Sequence, residues 1–429
     1  MSAAAEHAPP NPAPDAVSRR WRRHYARLWL GQMTSALGDR LHVQILVWIA
    51  TSAGAGWIVA ASPAGRLLVG LVGGAYADRF DRRRPMVGCD LLCALAVASL
   101  MFAGLPKPIE GASVELARAI LLWLAGVHLV VGMLGSFFEP ALQASLPALA
   151  PDAARLQAGN AWLDINRRLA VLVGPLAFAL LFELLPIWQF FAFDALTFVV
   201  SAALLISIGR GYAWRPSRDG PARALLHEIA DGARDTWQHA DLRYGLLQNT
   251  IWNFVLGPAF SIGMALIVRD ELGGAAWFGY LTAAYGVGNV ATNAVMARMS
   301  PRATAVVMHA GGLLAAFGWC LFAWVREPWL LLVVMAVTAA GGPLTDLMLL
   351  RLIQGHPTDR IGRIYSLRVT VSRVASSIGL ALATPVYGAV GARVGIAAGA
   401  VVLGAYAFAR LVVVSRAARR AKRDPTASD

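Results

Sequence analysis

Gly74-Ala75-Tyr76-Ala77-Asp78-Arg79-Phe80-Asp81-Arg82-Arg83-Arg84 is a short basic turn set between two long apolar runs. Apolar residues dominate 57–77 before it and 85–102 after it, each close to the ~20 residues that cross a bilayer as a helix. Loops dense in arginine and lysine are held on the cytoplasmic side. The stretch therefore predicts a helical hairpin through a membrane, with its turn in the cytoplasm.

Composition points the same way. Of 429 residues, 57% are hydrophobic and 15% are charged, whereas soluble domains carry roughly 25% charged residues. A soluble enzyme is thereby disfavoured. The net charge of +13 falls in short basic blocks between apolar runs, a topology signal rather than a nucleic-acid footprint. No nucleic-acid partner is expected. Cys89, Cys93 and Cys320 all lie in apolar stretches. The Cys89-x3-Cys93 spacing has no second ligand pair, so neither a metal site nor a disulfide framework is indicated.

Twelve apolar spans follow outward from the hairpin: 27–52, 56–77, 85–104, 117–140, 158–183 and 189–209, then 243–268, 275–298, 303–325, 329–350, 363–390 and 394–415. The expected fold is all-α, with twelve transmembrane helices in two six-helix halves. Residues 1–26 read as a disordered basic tail, 27–209 as the first bundle and 210–242 as a cytoplasmic connector. Residues 243–415 form the second bundle and 416–429 a basic cytoplasmic tail. Within the connector, 225–237 has helical periodicity and is expected along the membrane surface. Basic residues crowd both tails, the turn after span two and the connector, which places both termini in the cytoplasm. A faint repeat supports the two halves: Arg27-x2-Leu30-x-Gln32-x-Thr34 opens span one, and Arg243-x2-Leu246-x-Gln248-x-Thr250 opens span seven.

Several polar residues interrupt the spans. Asp39 and Arg40 lie about twelve residues into span one, ~18 Å along a helix and near the middle of a ~30 Å hydrocarbon core. A charge there is expensive and faces a cavity or a partner. Asp39 is thus either a proton carrier or half of a permanent ion pair with Arg66 or an arginine of another helix. By span position it is the only central carboxylate: Asp90, Glu139 and Asp346 fall toward the cytoplasmic ends, and Asp194 toward the opposite one. Asp164 pairs with Arg167 or Arg168 at helical spacing in span five. In the second half, Asn249, Trp252 and Asn253 of span seven and Asn289 and Asn293 of span eight either line a cavity or act as hydrogen-bond glue between helices. His128 and His309 stand alone in apolar runs and read as structural. No phosphate-binding Gly-x4-Gly-Lys-Ser/Thr loop occurs, which leaves an ion gradient as the energy source. No cofactor is implied.

The quoted stretch resembles the loop signature of the major facilitator superfamily: a glycine, three residues, Asp-Arg, then further basic residues. Phe137-Phe138-Glu139-Pro140-Ala141, Asn160-Ala161, Phe193-Asp194-Ala195 and Gly362-Arg363 with Ser366 extend the likeness to the enterobactin-exporter and macrolide-efflux branch. The resemblance implies that Gly74, Asp78, Arg79 and Arg82 form a gating motif that braces span two against span eleven, with Glu139 as its acidic partner. Here Asp81 replaces the usual glycine. Gly174-Pro175 resembles the bend of the antiporter signature in span five. The resemblance further implies a monomeric exporter in a bacterial inner membrane, working between lipid, protons and a small-molecule substrate. Proton coupling would run through Asp39, Glu139 or Asp164. A siderophore is the expected cargo, a macrolide or other drug the alternative, and a non-transporting sensor or assembly factor a third reading.

Overall fold

A backbone surrounded by hydrocarbon has no water to bond, so each apolar run closes its hydrogen bonds within itself as a helix. The computed structural model describes residues 14–77, 83–103, 114–150, 152–208, 233–234, 236–298 and 304–423. Among these residues the chain is helical and without strands. The first half holds α1 (Pro14–Ser52), α2 (Ala61–Ala77), α3 (Arg83–Ser99), α4 (Val114–Leu149), α5 (Ala153–Leu181) and α6 (Ile187–Ser207). The second holds α7 (Ala240–Pro258, continued by π-helical turns to Leu272), α8 (Ala275–Arg298), α9 (Thr304–Trp324) and α10 (Pro328–Thr338 and Gly341–Gln354). It ends with α11 (Thr358–Val390) and α12 (Ala392–Arg423).

Eight of these rods are long and apolar enough to cross a membrane. The exceptions are α1, α2, α5 and α8. Asp39 and Arg40 interrupt α1 and Asp164, Arg167 and Arg168 interrupt α5, which lowers their apolar content.

α1 starts at Pro14, inside the segment expected to be a disordered tail. The reason is tertiary: Trp21 stacks on Tyr25 at 5.5 Å, and the Tyr25 hydroxyl donates to the Gly159 carbonyl of α5. These contacts anchor the extra turns. Most of the connector expected to form a surface helix lies outside the described residues.

Packing in the two halves repeats with a shift of six helices. α1 packs on α5 and α6, as α7 packs on α11 and α12; α2 packs on α4, as α8 on α10; α3 packs on α6, as α9 on α12. The repeated threonines show the same local geometry, with Thr34 Oγ1 donating to the Leu30 carbonyl and Thr250 Oγ1 to that of Leu246.

The halves join through two equivalent seams, α5 on α8 and α2 on α11. At the first, a Cβ on Gly279 would lie 2.4 Å from the Pro175 carbonyl oxygen. Only glycine permits that approach. These contacts lie toward the side opposite the chain ends, called here the far side. The apolar core reports the same asymmetry. One cluster takes residues from both halves, including Trp48-flanking Val47 and Ile49 with Ile267, Phe278 and Leu281. A second, with Leu28, Leu142 and Leu205, belongs to the first half, and a third, with Leu246, Met308 and Leu349, to the second. The latter two lie on the side of the chain ends, the tail side, and are not shared. Among the described residues the halves share a core on the far side and none on the tail side.

Candidate functional site

A cavity of about 420 Å³ lies inside the bundle, and its lining residues all belong to the first half. Glu139 of α4 and Arg167 of α5 line its tail-side part, and His42 and His128 line it deeper in the bundle. Eleven residues of α4 separate Glu139 from His128, a depth of roughly 16 Å at 1.5 Å per residue. Asp39 and Arg40 are exposed into this space rather than packed in the wall. Asp39 interacts electrostatically with Asp194, His42, Arg66 and Arg40. Both signs of charge thus meet in the cavity. Asp39 makes no ion pair within contact distance among the described residues.

Asp39 is not the sole deep carboxylate. Asp194 and Asp90 line the same cavity. Antiparallel packing explains the difference from the sequence reading: α1 and α6 cross at Gly38, where a Cβ would lie 2.2 Å from Thr197 Oγ1 and 2.5 Å from Asp194 Oδ1. That contact sets Asp194 level with Asp39, whatever its distance from the start of its own helix. Asp194 accepts a hydrogen bond from or shares one with His42, Nδ1 to Oδ2 at 2.8 Å. The His42 ring stacks on His128 at 5.8 Å. His128 is therefore not isolated, and His42 escaped the sequence reading altogether. Its signal was present as Asp39-x2-His42, two polar residues one helical turn apart in an apolar run. Cys89 and Cys93 also line the cavity, as free thiols.

Two ion pairs hold the fourth and fifth helices of each half together. Arg167 Nη2 donates to Glu139 Oε1 at 2.7 Å, joining α5 to α4. Arg368 Nη2 donates to Asp346 Oδ1 at 2.7 Å, joining α11 to α10. Asp164 pairs with Arg168, one turn along α5, at 2.7 Å. Gly74 lies in α2; Asp78, Arg79 and Arg82 lie outside the described residues, so their bracing role has no described geometry. Arg83, from the same turn, donates to the carbonyls of Leu205 and Ile206 and caps α6.

Gly174 and Pro175 sit where three helices cross. A Cβ on Gly174 would be 2.4 Å from Arg40 Cβ on α1, and the Pro175 carbonyl faces Gly279 on α8. The second-half polar residues are placed elsewhere. Asn249 Oδ1 accepts from Ser372 Oγ at 2.5 Å and its Nδ2 lies 3.4 Å from Asp346 Oδ1. Asn253 and Asn293 donate within their own helices, Asn293 to Asn289. Trp252 packs against the shared core. None of these five lines the cavity described above.

Residues 28–380 match the family described as the Major Facilitator Superfamily. Macrolide efflux protein A of Streptococcus pyogenes is 25% identical over 264 residues, 59% of this chain, and the alignment spans 61% of that protein's length. Multidrug efflux pump Tap of Mycolicibacterium fortuitum is 27% identical over 341 residues, covering 76% of this chain and 78% of that one. Among solved structures, a bacterial homolog to the human lysosomal transporter Spinster, in an inward-facing and unoccupied conformation, superposes with a TM-score of 0.68 at 14% identity, covering 94% of this chain and 98% of that chain. With the family matched across most of its length on a repeated helical bundle, the chain is a transporter belonging to the major facilitator superfamily.

Proposed function

We propose that this transporter is a secondary active exporter that moves a small organic molecule out of a bacterial cell by proton antiport and alternating access. The observation that carries the reading is the charged cavity of the first half in a bundle whose halves, among the described residues, share a core on the far side and none on the tail side. The tail side carries the basic tails and connector, which the positive-inside rule assigns to the cytoplasm. Cargo then enters from the cytoplasm, and rocking of the two halves about the α5–α8 and α2–α11 seams releases it on the far side. The protein sits in the cytoplasmic membrane with both termini inside and works as a monomer. Gly74, Asp78, Arg79 and Arg82 serve the closure of the tail side, with Glu139 at its rim.

The cargo we favour is an amphiphilic drug of the macrolide or multidrug type, in line with the names of the two efflux relatives. A siderophore is the second reading. It draws on Arg40 and Arg66 at the cavity, whose guanidinium groups match an acidic cargo. Deletion cells separate the two. Hypersensitivity to macrolides or dyes with unchanged siderophore release supports drug export. Retention of siderophore or its precursors under iron limitation, with normal drug resistance, supports the second. A deletion strain indistinguishable from its parent in both tests removes the exporter assignment.

A further inference from the structure

Four side chains meet deep in the cavity. His42 Nδ1 bonds Asp194 Oδ2 at 2.8 Å, although the two residues are only 3% and 1% exposed. His128 stacks on the His42 ring with an interplanar angle of 14°, and Phe191 meets its edge at 5.5 Å. Asp39 lies one turn earlier on α1. The Nε2 atom of His42 is buried with no hydrogen-bond partner among the described residues.

An imidazole held in this way has one nitrogen committed and one available. A carboxylate at Nδ1 fixes the tautomer with its hydrogen there and leaves the Nε2 lone pair unused. Leaving a buried polar atom unpaired is costly, and Nε2 of His42 is such an atom. We propose that His42, oriented by Asp194, is the proton-carrying group of this transporter, with Asp39 as the neighbouring carboxylate that answers to its charge. The inference rests on the antiport reading above. In the step, the Nε2 lone pair takes a proton from water on one side of the membrane and an N–H bond forms. Asp194 stays ionised and keeps the Nδ1 hydrogen bond. After the halves rock, the same N–H bond breaks and the proton passes to water on the other side.

The charged and titratable groups around His42 come from every packed element: Asp39 and Arg40 of α1, Arg66 of α2, Asp90 with Cys89 and Cys93 of α3, His128 of α4 and Asp194 of α6. When His42 is protonated, its charge acts on both Asp194, which it bonds, and Asp39. When it is neutral, Arg40 and Arg66 are the only cations acting on Asp39 among the described residues, and its charge is less compensated toward a cationic cargo. The site thus favours an amphiphile bearing a protonated amine, which competes with the protonated His42 for the charge of Asp39.

The decisive variant is His42→Asn. Its amide Nδ2 occupies roughly the Nδ1 position and can still donate to Asp194, but it has no second ring nitrogen. A purely structural role survives this change and a proton-carrying role does not. The full chain is reconstituted in proteoliposomes with ethidium and erythromycin as probes under a ΔpH of one unit. Wild type accumulates probe about tenfold for one proton per cargo, whereas His42→Asn only equilibrates it. Accumulation by His42→Asn equal to wild type overturns the inference and leaves the exporter reading intact. If wild type moves neither probe, the exporter reading fails for these cargoes. The proton site is then decided by nitrogen NMR of isotope-labelled histidines in lipid nanodiscs, which needs no cargo. Nδ1 of His42 is expected to stay protonated while Nε2 changes state with the imposed pH. A His42 that keeps one protonation state wherever the protein remains folded overturns the proposal.

Discussion

Replacing Gly279 with alanine tests whether the α5–α8 seam sets the balance between the two conformations. The added Cβ would lie 2.4 Å from the Pro175 carbonyl oxygen, 2.7 Å from Ala179 Cβ and 2.9 Å from Ala179 N. Ordinary contact begins near 3.4 Å, so α5 and α8 must separate by about 1 Å on the far side. Two of the three obstructing atoms are helix backbone and cannot swing aside as a long side chain would. Overpacking of this kind costs about 1–3 kcal/mol. If the seam opens in the alternate state, the cost falls on the far-closed state alone and shifts the equilibrium by roughly 5- to 150-fold. The assay is double electron–electron resonance with spin labels at Ile165 and Val295, in a background where Cys89, Cys93 and Cys320 are serine. These positions are 40% and 56% exposed and lie on the tail-side parts of α5 and α8. Gly279→Ala should raise the population with a short tail-side distance. Gly88→Ala, whose Cβ meets nothing within 4 Å, should leave the distribution unchanged. A Gly279→Ala distribution superimposable on that of a well-folded wild type refutes the two-state argument.

Gly288→Ala places a Cβ 1.8 Å from the Ala336 carbonyl, a clash inside one half. It should lower folded yield and melting temperature without favouring either conformation, as size-exclusion and thermal-shift measurements will show. Asp39→Asn, by removing the carboxylate that answers to the charge of His42, should abolish uphill efflux while sparing downhill exchange in proteoliposomes; a variant that still concentrates cargo under an imposed ΔpH removes Asp39 from the coupling path and leaves His42, Glu139 and Asp164 as its candidates. Glu139→Gln breaks a pair whose side chains are 46% and 54% exposed, so its stability effect should stay within about 1 kcal/mol. A larger drop in melting temperature would mean that the pair is a structural brace. Asp78→Asn and Arg82→Ala should reduce efflux with expression intact, and normal transport by both would leave those residues a topological role only.

The fold was legible because hydrocarbon leaves a chain so few choices. Apolar runs of the right length, separated by arginine blocks, gave helix order, hairpin pairing and the repeat at Arg27 and Arg243. The site was legible only in part. Asp39 stood out because its depth follows from counting along one helix. Asp194 did not, because its level depends on how α6 crosses α1 at Gly38, a packing fact with no one-dimensional trace. His42 was hidden for a related reason: it matters through a bond to a residue 152 positions away. The asparagines of α7 and α8 show the converse. Their four-residue spacing invites a shared polar face, but Asn253 and Asn293 spend their amides on their own helices. Helix starts were missed where tertiary anchors extend them, as Tyr25 does for α1.

The one-sided lining of the cavity has a consequence for how such a molecule can change over time. Its charged wall is drawn from the first repeat, while the second contributes α8 and α11 to the seams and has a core of its own. Two equivalent bodies make the bundle, and the charged wall of this cavity lies in one of them. The partner body is left as a counterweight, free to drift so long as its contact faces still fit. On the function proposed above, substitutions there are expected to tune how quickly the molecule rocks, and those in the first repeat what it carries. Grafting the second repeat of another family member onto this first repeat would then transplant tempo without transplanting taste.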